Sequence, residues 1–187
     1  MSDYLRCVNT PTLETTRLLM RAPLPTDAPD LAQWLGRDEI YTYWGRKATG
    51  GEKNPASLFV DARPHISRKP NPDFNWMLVM KETGKVIGQM EVFNMENNRM
   101  ADVGYRLHPD YWGQGITTEA LRCAIRYVFA NTSLQRLNAS ADVRNTGSNR
   151  VLEKCGFIRE GTVRQGKMVS TYCDYHTYGL LKTDIHP

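Results

Sequence analysis

The sequence predicts an α+β fold built on a mixed sheet, and two observations support this prediction. Residues 75–107 contain three strand-like runs separated by short turns, which is the pattern of an antiparallel meander. After the meander the pattern alternates between helix and strand until the end of the chain. The 187 residues match one ordinary domain, so we expect a single domain over residues 1–187.

The part of the chain before the meander is less regular. Residues 16–21 have the pattern of a first strand, and Thr26 or Asp27 is suited to cap a helix that follows it. Residues 45–55 hold three glycines and are predicted to form a mobile loop. Residues 56–68 could be helical, although a proline within them would kink or break that helix.

The meander itself has clear boundaries. Its three runs are residues 75–82, 85–95 and 99–107. The pairs Thr83–Gly84 and Asn97–Asn98 separate the runs and are typical of hairpin turns. We therefore expect three neighbouring antiparallel strands here.

The strongest helical pattern covers about residues 117–131. Its apolar residues recur on one face at a period of about 3.6, and they are Ala120, Leu121, Ala124, Ile125, Val128 and Phe129. The remaining predicted elements are a strand over 136–143, a helix over 146–155 with Asn145 as N-cap and Gly156 as stop, and strands over 157–166 and 171–182.

Composition excludes several classes of protein. Hydrophobic residues make up 41% and charged residues 24%, as in a globular protein, and no apolar run is long enough to span a membrane. The net charge of +4 is spread along the chain, unlike the basic patch of a nucleic-acid-binding protein. The four cysteines form no CxxC pair and the four histidines no cluster, so we expect no metal site. The N-terminus lacks the apolar core of a signal peptide, so we expect a cytoplasmic protein.

The most informative segment for chemistry is 108–121, where a strand is followed by a short loop and a helix. Gly113 and Gly115 would let the backbone approach a ligand closely. The N–H groups of the first helical turn would favour a phosphate, and Thr117 and Thr118 would add hydroxyl donors. A simple glycine-bearing turn that starts a helix is the alternative.

Two nucleotide-binding patterns are incomplete. A dinucleotide fingerprint needs a third glycine where Thr118 stands, and its loop should follow the first strand of a parallel unit. The segment 161–168 resembles the start of a P-loop, but Met168 replaces the Ser or Thr that would bind magnesium. The sequence therefore favours neither NAD nor ATP.

Two motifs resemble those of the GNAT superfamily of N-acetyltransferases. Residues 103–121 (VGYRLHPDYWGQGITTEAL) are similar to motif A, and residues 145–157 (NTGSNRVLEKCGF) are similar to motif B. The sequences of both motifs are similar to those of the branch that includes the bacterial ribosomal-protein alanine N-acetyltransferases. The resemblance covers about residues 12–182. One position departs from the superfamily pattern, because Asp110 stands where a Gln or Arg is usual.

The resemblance implies a twisted, mostly antiparallel sheet that is flanked by helices and splayed between its two middle strands. It implies acetyl transfer from acetyl-CoA to a primary amine, without a metal, in a monomer or homodimer. The pantetheine arm would pair with an open strand edge, and the pyrophosphate would bind the loop amides. The candidate residues for coenzyme A are Tyr105, Leu107, Trp112, Gly113, Gln114, Gly115, Thr117, Thr118 and Asn145.

The catalytic residues are less clearly indicated. Glu91 and Asp102 are carboxylates within meander strands and are candidates for the base, unless they face solvent. Ser148 matches a serine that the resemblance places near the thiol of the cosubstrate, although it could instead cap a helix. Tyr105 and Tyr172 are further candidate donors. Some relatives in this branch use a glutamate where Lys167 stands here, so their mechanism does not transfer directly.

The acceptor amine cannot be identified from the sequence. A protein N-terminus, an antibiotic-like amine, a polyamine and an amino acid all remain open. The segment 45–74, rich in glycine, proline and aromatic residues, is the part that we expect to shape this choice. A non-catalytic acyl-CoA-binding or regulatory module on the same fold is the alternative function.

Overall fold

A computed structural model describes residues 10–58, 74–96 and 99–185. Within these residues one eight-stranded sheet has the strand order β1-β2-β3-β4-β5-β6-β8-β7. The strands are Leu13–Glu14 (β1), Leu18–Arg21 (β2), Phe74–Met80 (β3), Val86–Glu96 (β4), Met100–Leu107 (β5), Arg136–Asp142 (β6), Ile158–Met168 (β7) and Thr171–Leu181 (β8). The α-helices are Ala28–Leu31 (α1), Asp38–Tyr41 (α2), Gly50–Lys53 (α3), Ile116–Asn131 (α4) and Thr146–Lys154 (α5).

The predicted meander is confirmed as β3, β4 and β5, which pair in antiparallel order. The turn between β3 and β4 contains Gly84 at a φ of +67°, a conformation that favours glycine. Asn97 and Asn98 lie outside the described residues. The meander forms the centre of the sheet and supplies the strand β5 that borders the site.

Helices cover both faces of the sheet. On one face α4 and α5 pack against a core that includes Leu121, Val128 and Leu152, all nearly inaccessible to solvent. The apolar stripe predicted for α4 is the face of this helix that is buried in that core. On the other face a smaller core joins the segment around α1 and α2 to β3 and includes Trp34 and Met77. None of the helices in the described ranges is long and apolar enough to cross a membrane.

The sheet is splayed at its one parallel pairing. β5 and β6 pair only between Met100–Asp102 and residues 136–138, and no pairing continues from Val103 onward. Because α4 connects the two strands, their parallel direction is the one that a crossover helix allows. The splay between the two middle strands is therefore confirmed, and it opens toward the start of α4.

The region before the meander differs from its prediction. The helix predicted after Asp27 is only one turn long, and turns replace it up to Gly36. The segment predicted as a loop over 45–55 contains α3. Thr49 and Glu52 form a reciprocal capping box there, in which Thr49 accepts from the Glu52 N–H and Glu52 accepts from the Thr49 N–H. The glycines of this segment are typical of a loop, so the capping box was not predicted from the sequence. Of the helix predicted over 56–68, only the first residues are described, as a short 3-10 turn.

Candidate active site

The divergence of β5 and β6 opens a cleft in the middle of the sheet, with a cavity of about 300 Å³. Its walls come from both strands, the start of α5, the segment after α2 and the tip of the β7–β8 hairpin. The lining residues are Tyr43, Trp44, Phe93, 102–105, 138–141, Asn145, Ser148, Leu152, Met168 and Val169. The cleft thus brings together four predicted site residues: Asp102, Tyr105, Asn145 and Ser148.

The loop before α4 has the conformation that its glycines require. Gly113 has a φ of +73° and Gly115, the N-cap of α4, a φ of +75°. A side chain at either position would be strained, because left-handed backbone is costly for other residues. The first turn of α4 leaves its backbone N–H groups without intrahelical partners. A Cβ on Gly113 would have no atom within 4 Å, so the loop faces open space where an anion could approach.

Hydrogen bonds from the residues just before β2 hold this loop in place. Arg17 donates from Nη1 to the Gln114 carbonyl at 3.0 Å and from Nε to Glu119 at 2.7 Å. Thr15 donates its hydroxyl to the same carboxylate at 2.6 Å. Burial alone would raise the pKa of Glu119, but the hydrogen bonds from Thr15 and Arg17 outweigh burial and lower it. These hydrogen bonds were not predicted from the sequence.

The other predicted loop residues have distinct positions. Trp112 is half exposed and donates its indole N–H to the Leu107 carbonyl at 2.8 Å. The Gln114 side chain donates to the Asp110 carbonyl at 2.9 Å, so it closes the turn. Thr118 is buried. Thr117 is partly exposed at the helix start, and the Leu107 side chain is buried in the core.

Asn145, Ser148 and Tyr105 form one hydrogen-bonded group at the start of α5. The Asn145 carboxamide oxygen accepts from the Ser148 N–H at 3.1 Å, so the predicted N-cap is confirmed. The Ser148 hydroxyl is not the cap and lies 2.8 Å from the Tyr105 hydroxyl. Burial raises the pKa of Tyr105 despite the opposing hydrogen bond from Ser148. Two hydroxyl groups therefore stay protonated beside the cleft.

Glu91 and Asp102 lie on the same face of the sheet. Glu91 is paired with Gly104, and Asp102 with Phe93, in the β4–β5 ladder. Asp102 lines the cavity and accepts a hydrogen bond from the Asn94 side chain at 3.0 Å. Glu91 is partly exposed and is not among the residues that line the cavity. Asn94 sits at a β-bulge with a φ of +52°. Asp102 is thus the carboxylate that reaches the cleft wall.

A buried ion network on this face was not predicted. Glu52 of α3 pairs with Arg106 of β5 and with Arg46, which lies 2.7 Å away, and both partners of the Glu52–Arg106 pair are almost fully buried. Arg106 also donates to Gln89 at 2.8 Å and stacks over Trp44. Burial alone would raise the pKa of Glu52, but hydrogen bonds from Arg46 and Thr49 and the charge of Arg106 hold it well below its usual range. The network fixes the 42–53 segment against the sheet.

The 42–53 segment also contacts the β7–β8 hairpin directly. Ser170 donates from its backbone N–H and its hydroxyl to the Gly45 carbonyl, at 3.0 and 2.6 Å. A Cβ on Gly45 would lie 2.0 Å from the Met168 carbonyl oxygen, so only glycine permits this approach. Lys167 is exposed on β7 and does not line the cavity. The segment that resembles a P-loop lies within β7 and leads into another strand, so that interpretation is excluded.

No cluster of three metal-ligating side chains occurs in the described ranges. The polar groups that line the cleft include hydroxyls, carboxamides, one carboxylate and backbone groups. These groups surround a cleft between two strands, next to a loop suited to an anion. This arrangement suits the transfer of a group from a phosphate-bearing donor to an acceptor that enters from the other face.

Comparison with known proteins defines the class. The family model of the acetyltransferase (GNAT) domain matches residues 17–158, more than half of the chain. The fold is shared with the ribosomal-protein-S5-alanine acetyltransferase of Vibrio fischeri, with a TM-score of 0.75 and 24% identity over 95% of this chain and all of that one. The chain belongs to the GNAT family and is an acetyltransferase, as the motifs implied.

The chain is also similar to two further proteins. The uncharacterized N-acetyltransferase p20 of Bacillus licheniformis is 30% identical over 176 residues, which cover 92% of this chain and 97% of that protein. The spermidine N-acetyltransferase of Vibrio cholerae, solved with CoA and spermine, is 19% identical with a TM-score of 0.75 over 91% of this chain and 98% of that one. At this identity the second relative shows the common fold alone.

Proposed function

We propose that the protein transfers an acetyl group from acetyl-CoA to a primary amine by direct attack within the cleft. The observation that carries this proposal is the splay between β5 and β6, which leads from the hydroxyl pair at α5 to the glycine loop at α4. The acceptor is a protein N-terminus or a small-molecule amine.

The open edge of β5 and the glycine loop match the two ends of the cosubstrate. Beyond Asp102 the backbone of β5 has no partner on β6, so its polar groups can pair with the amide groups of the pantetheine arm. The N–H groups of residues 113–118 can donate hydrogen bonds to the pyrophosphate. Asn145 lines the same cavity as the open edge of β5. The spermidine N-acetyltransferase of Vibrio cholerae, which shares this fold, was solved with CoA, and this supports acetyl-CoA as the cosubstrate.

The carboxylate of Asp102 is the proposed base. An amine attacks a thioester only when neutral, and an α-amino group has a pKa near 8. Asp102 takes the proton from the amine, directly or through a water, as the new C–N bond forms and the C–S bond breaks. Glu91 lies on the same face of the sheet, paired with Gly104, and it assists this proton transfer through a water.

The hydroxyl pair is the proposed proton donor to the departing sulfur. Ser148 donates its hydroxyl proton to the thiolate and regains a proton from Tyr105, because the two hydroxyls lie 2.8 Å apart. Tyr105 is reprotonated from water, and Asp102 releases the proton of the amine to water. A backbone N–H of β5 beyond Asp102 polarises the thioester carbonyl. No covalent enzyme intermediate is required, so no nucleophilic cysteine is needed.

Thermal unfolding with and without acetyl-CoA tests the first half of the proposal. At about 100 times Kd, linkage predicts about 2.7 kcal/mol of stabilisation. For a domain of this size this corresponds to a rise in Tm of about 5–11 °C. ATP and NAD are the controls and should give no shift. A shift with either of them and none with acetyl-CoA would overturn the assignment.

Release of free thiol from acetyl-CoA in the presence of amines tests the second half. Asp102→Asn should lower kcat about 10²-fold or more, the usual contribution of a general base. Glu91→Gln should lower it less. Binding of acetyl-CoA without turnover on peptides, polyamines or amino acids would indicate the non-catalytic module instead.

A further inference from the structure

A second cavity of about 260 Å³ adjoins the cleft. Tyr43 lines both cavities. The hairpin tip also belongs to both, because Met168 and Val169 line the cleft while Ser170 and Thr171 line the second cavity. A molecule whose amine lies in the cleft could therefore extend into this second cavity.

The second cavity lies on the same face of the sheet as Asp102, the proposed base. Its wall includes Tyr41, which belongs to the core on the face opposite α4 and α5. The glycine loop opens at the start of α4, on the other face. The cavity is therefore separated from the proposed binding site of the pyrophosphate. Arg144, which lines the cavity, directly precedes Asn145, the N-cap of α5.

The charges that line this cavity are mostly positive. Arg46, Lys47 and Arg144 are cations, and Asp142 is the single carboxylate on its wall. Asp142 is buried and accepts from Arg144 at 2.9 and 2.6 Å, which lowers its pKa and uses both of its oxygens. Arg46 is held by Glu52, whereas Lys47 is exposed and makes no salt bridge in the described part of the chain. The uncompensated charge is positive and centred on Lys47.

The aromatic faces near the cavity are already covered by guanidinium groups. Arg144 lies 5.8 Å from the centre of the Tyr43 ring, and Arg106 lies 4.7 Å from the centre of the Trp44 ring. A cationic acceptor such as a polyamine needs free carboxylates or open aromatic faces. This wall offers it neither of these.

We propose that the second cavity is an anion subsite that binds an acidic group of the acceptor, a short distance beyond the reacting amine. The acceptor class is then a peptide N-terminus followed by acidic side chains. This inference rests on the proposed function, and it adds the chemical class of the acceptor to it. Hydroxyl groups of Thr42 and Thr171 on the same wall can donate further hydrogen bonds to a carboxylate.

The test uses four acceptors at saturating acetyl-CoA. Three are hexapeptides with an N-terminal alanine that differ only in their second and third residues, which are both glutamate, both glutamine or both arginine. The fourth is spermidine. We expect the glutamate peptide to have the lowest KM, about fivefold below the glutamine peptide, since one exposed charge pair contributes up to about 1 kcal/mol.

Charge reversal of the subsite provides a matched pair of variants. Lys47→Glu should raise the KM of the glutamate peptide about fivefold and leave the KM of the glutamine peptide and of acetyl-CoA unchanged. Lys53→Glu makes the same change of charge at an exposed residue of the same segment that does not line the cavity. It should leave all the KM values unchanged.

Each other result overturns the inference. Preference for the arginine peptide or spermidine, no turnover of the glutamate peptide while another amine reacts, or equal effects of the two variants would exclude an anion subsite. A rise in the KM of acetyl-CoA with Lys47→Glu would assign the cavity to the cosubstrate. Failure of acetyl-CoA to raise the Tm of the wild-type protein would instead overturn the proposed function itself.

Discussion

The two sides of the cleft are built in different ways. The proposed cosubstrate side is built mainly on one continuous segment, in which a strand, two glycines with positive φ and a helix follow one another between Met100 and Asn131. Thr15 and Arg17 hold its loop from outside this segment. The proposed acceptor side is assembled from distant parts of the chain. Glu52 and Arg106 are 54 residues apart, and Gly45 and Ser170 are 125 residues apart.

This difference determines what a substitution should do on each side. A change in the glycine loop alters the local backbone and should affect the cosubstrate. A change in the ion network alters how the 42–53 segment packs on the sheet, so it should affect stability first and the acceptor second. The following predictions test whether the two sides can be separated in this way.

The largest expected effect is on stability, from Glu52→Gln. The substitution leaves Arg106 buried without its carboxylate, which typically costs about 3–5 kcal/mol. Urea unfolding at neutral pH measures this. The matched control is Glu39→Gln, which removes an exposed ion pair with Arg37 and should change the free energy of unfolding by less than about 1 kcal/mol. Equal effects of the two substitutions would contradict a structural role for the network.

The stabilities of wild type and Glu52→Gln should converge as the pH falls. The pKa of Glu52 is lowered in the folded state, so its stabilising contribution is present above its unfolded pKa of about 4.3 and is lost as the pH falls toward the folded value. The difference in stability between wild type and Glu52→Gln should be constant near neutral pH and shrink below about pH 4. A difference that grows with acidity would mean that the sign of the shift is wrong.

The next largest effect is on cosubstrate binding, from Gly115→Val. A β-branched residue at a φ of +75° should displace the N–H groups at the start of α4. We expect the rise in Tm with acetyl-CoA to disappear and kcat/KM to fall by about 10²-fold, on the order of 2.7 kcal/mol. Gly84→Val is the control, because Gly84 also has a positive φ but lies in the β3–β4 turn with no neighbouring atom around its Cβ position. It should cost stability and keep the Tm shift.

The contrast between the two sides also explains what the sequence could predict. The meander, α4, α5 and the glycine loop follow from periodicity, caps and turn residues, which are local signals. The side chains that meet in the cleft follow only from strand register, which put Asp102 on its wall and Glu91 beside it. The pairing of Glu52 with Arg106 has no local signature, since a glutamate after two glycines is typical of a solvent-exposed loop.

The hydroxyl pair tests the chemistry where the two sides meet. Tyr105→Phe removes the hydrogen bond to Ser148 and should lower kcat about fivefold, since one hydrogen bond contributes about 1 kcal/mol. Tyr127→Phe is the control, because Tyr127 packs by its ring against Phe74 and Trp76 away from the cleft. Because the pKa of Tyr105 is raised, wild-type kcat should show no decline from its ionisation below pH 10. A decline that Tyr105→Phe abolishes would show that this hydroxyl is less buried than its contacts indicate.

The smallest expected effect isolates the acceptor side. Gly45→Ala and Gly84→Ala introduce the same side chain at the same φ of +67°, so they share the cost in backbone strain. Only at Gly45 would the added Cβ meet a backbone oxygen, at 2.0 Å, so only there must the 42–53 segment move away from the hairpin. We expect Gly45→Ala to raise the KM of the acceptor about threefold, a loss of roughly 0.7 kcal/mol, with the KM of acetyl-CoA unchanged.

Gly84→Ala should change neither KM, and this makes the pair informative beyond stability. If both variants raise the KM of the acceptor equally, strain alone is responsible and the contact between Gly45 and Ser170 has no role in substrate binding. If Gly45→Ala raises the KM of acetyl-CoA instead, the two sides of the cleft are coupled through the hairpin tip, whose Met168 and Val169 line the same cavity as Tyr105 and Ser148. A change confined to the acceptor means that the two halves of the site, although they share one cavity, are positioned by independent sets of contacts.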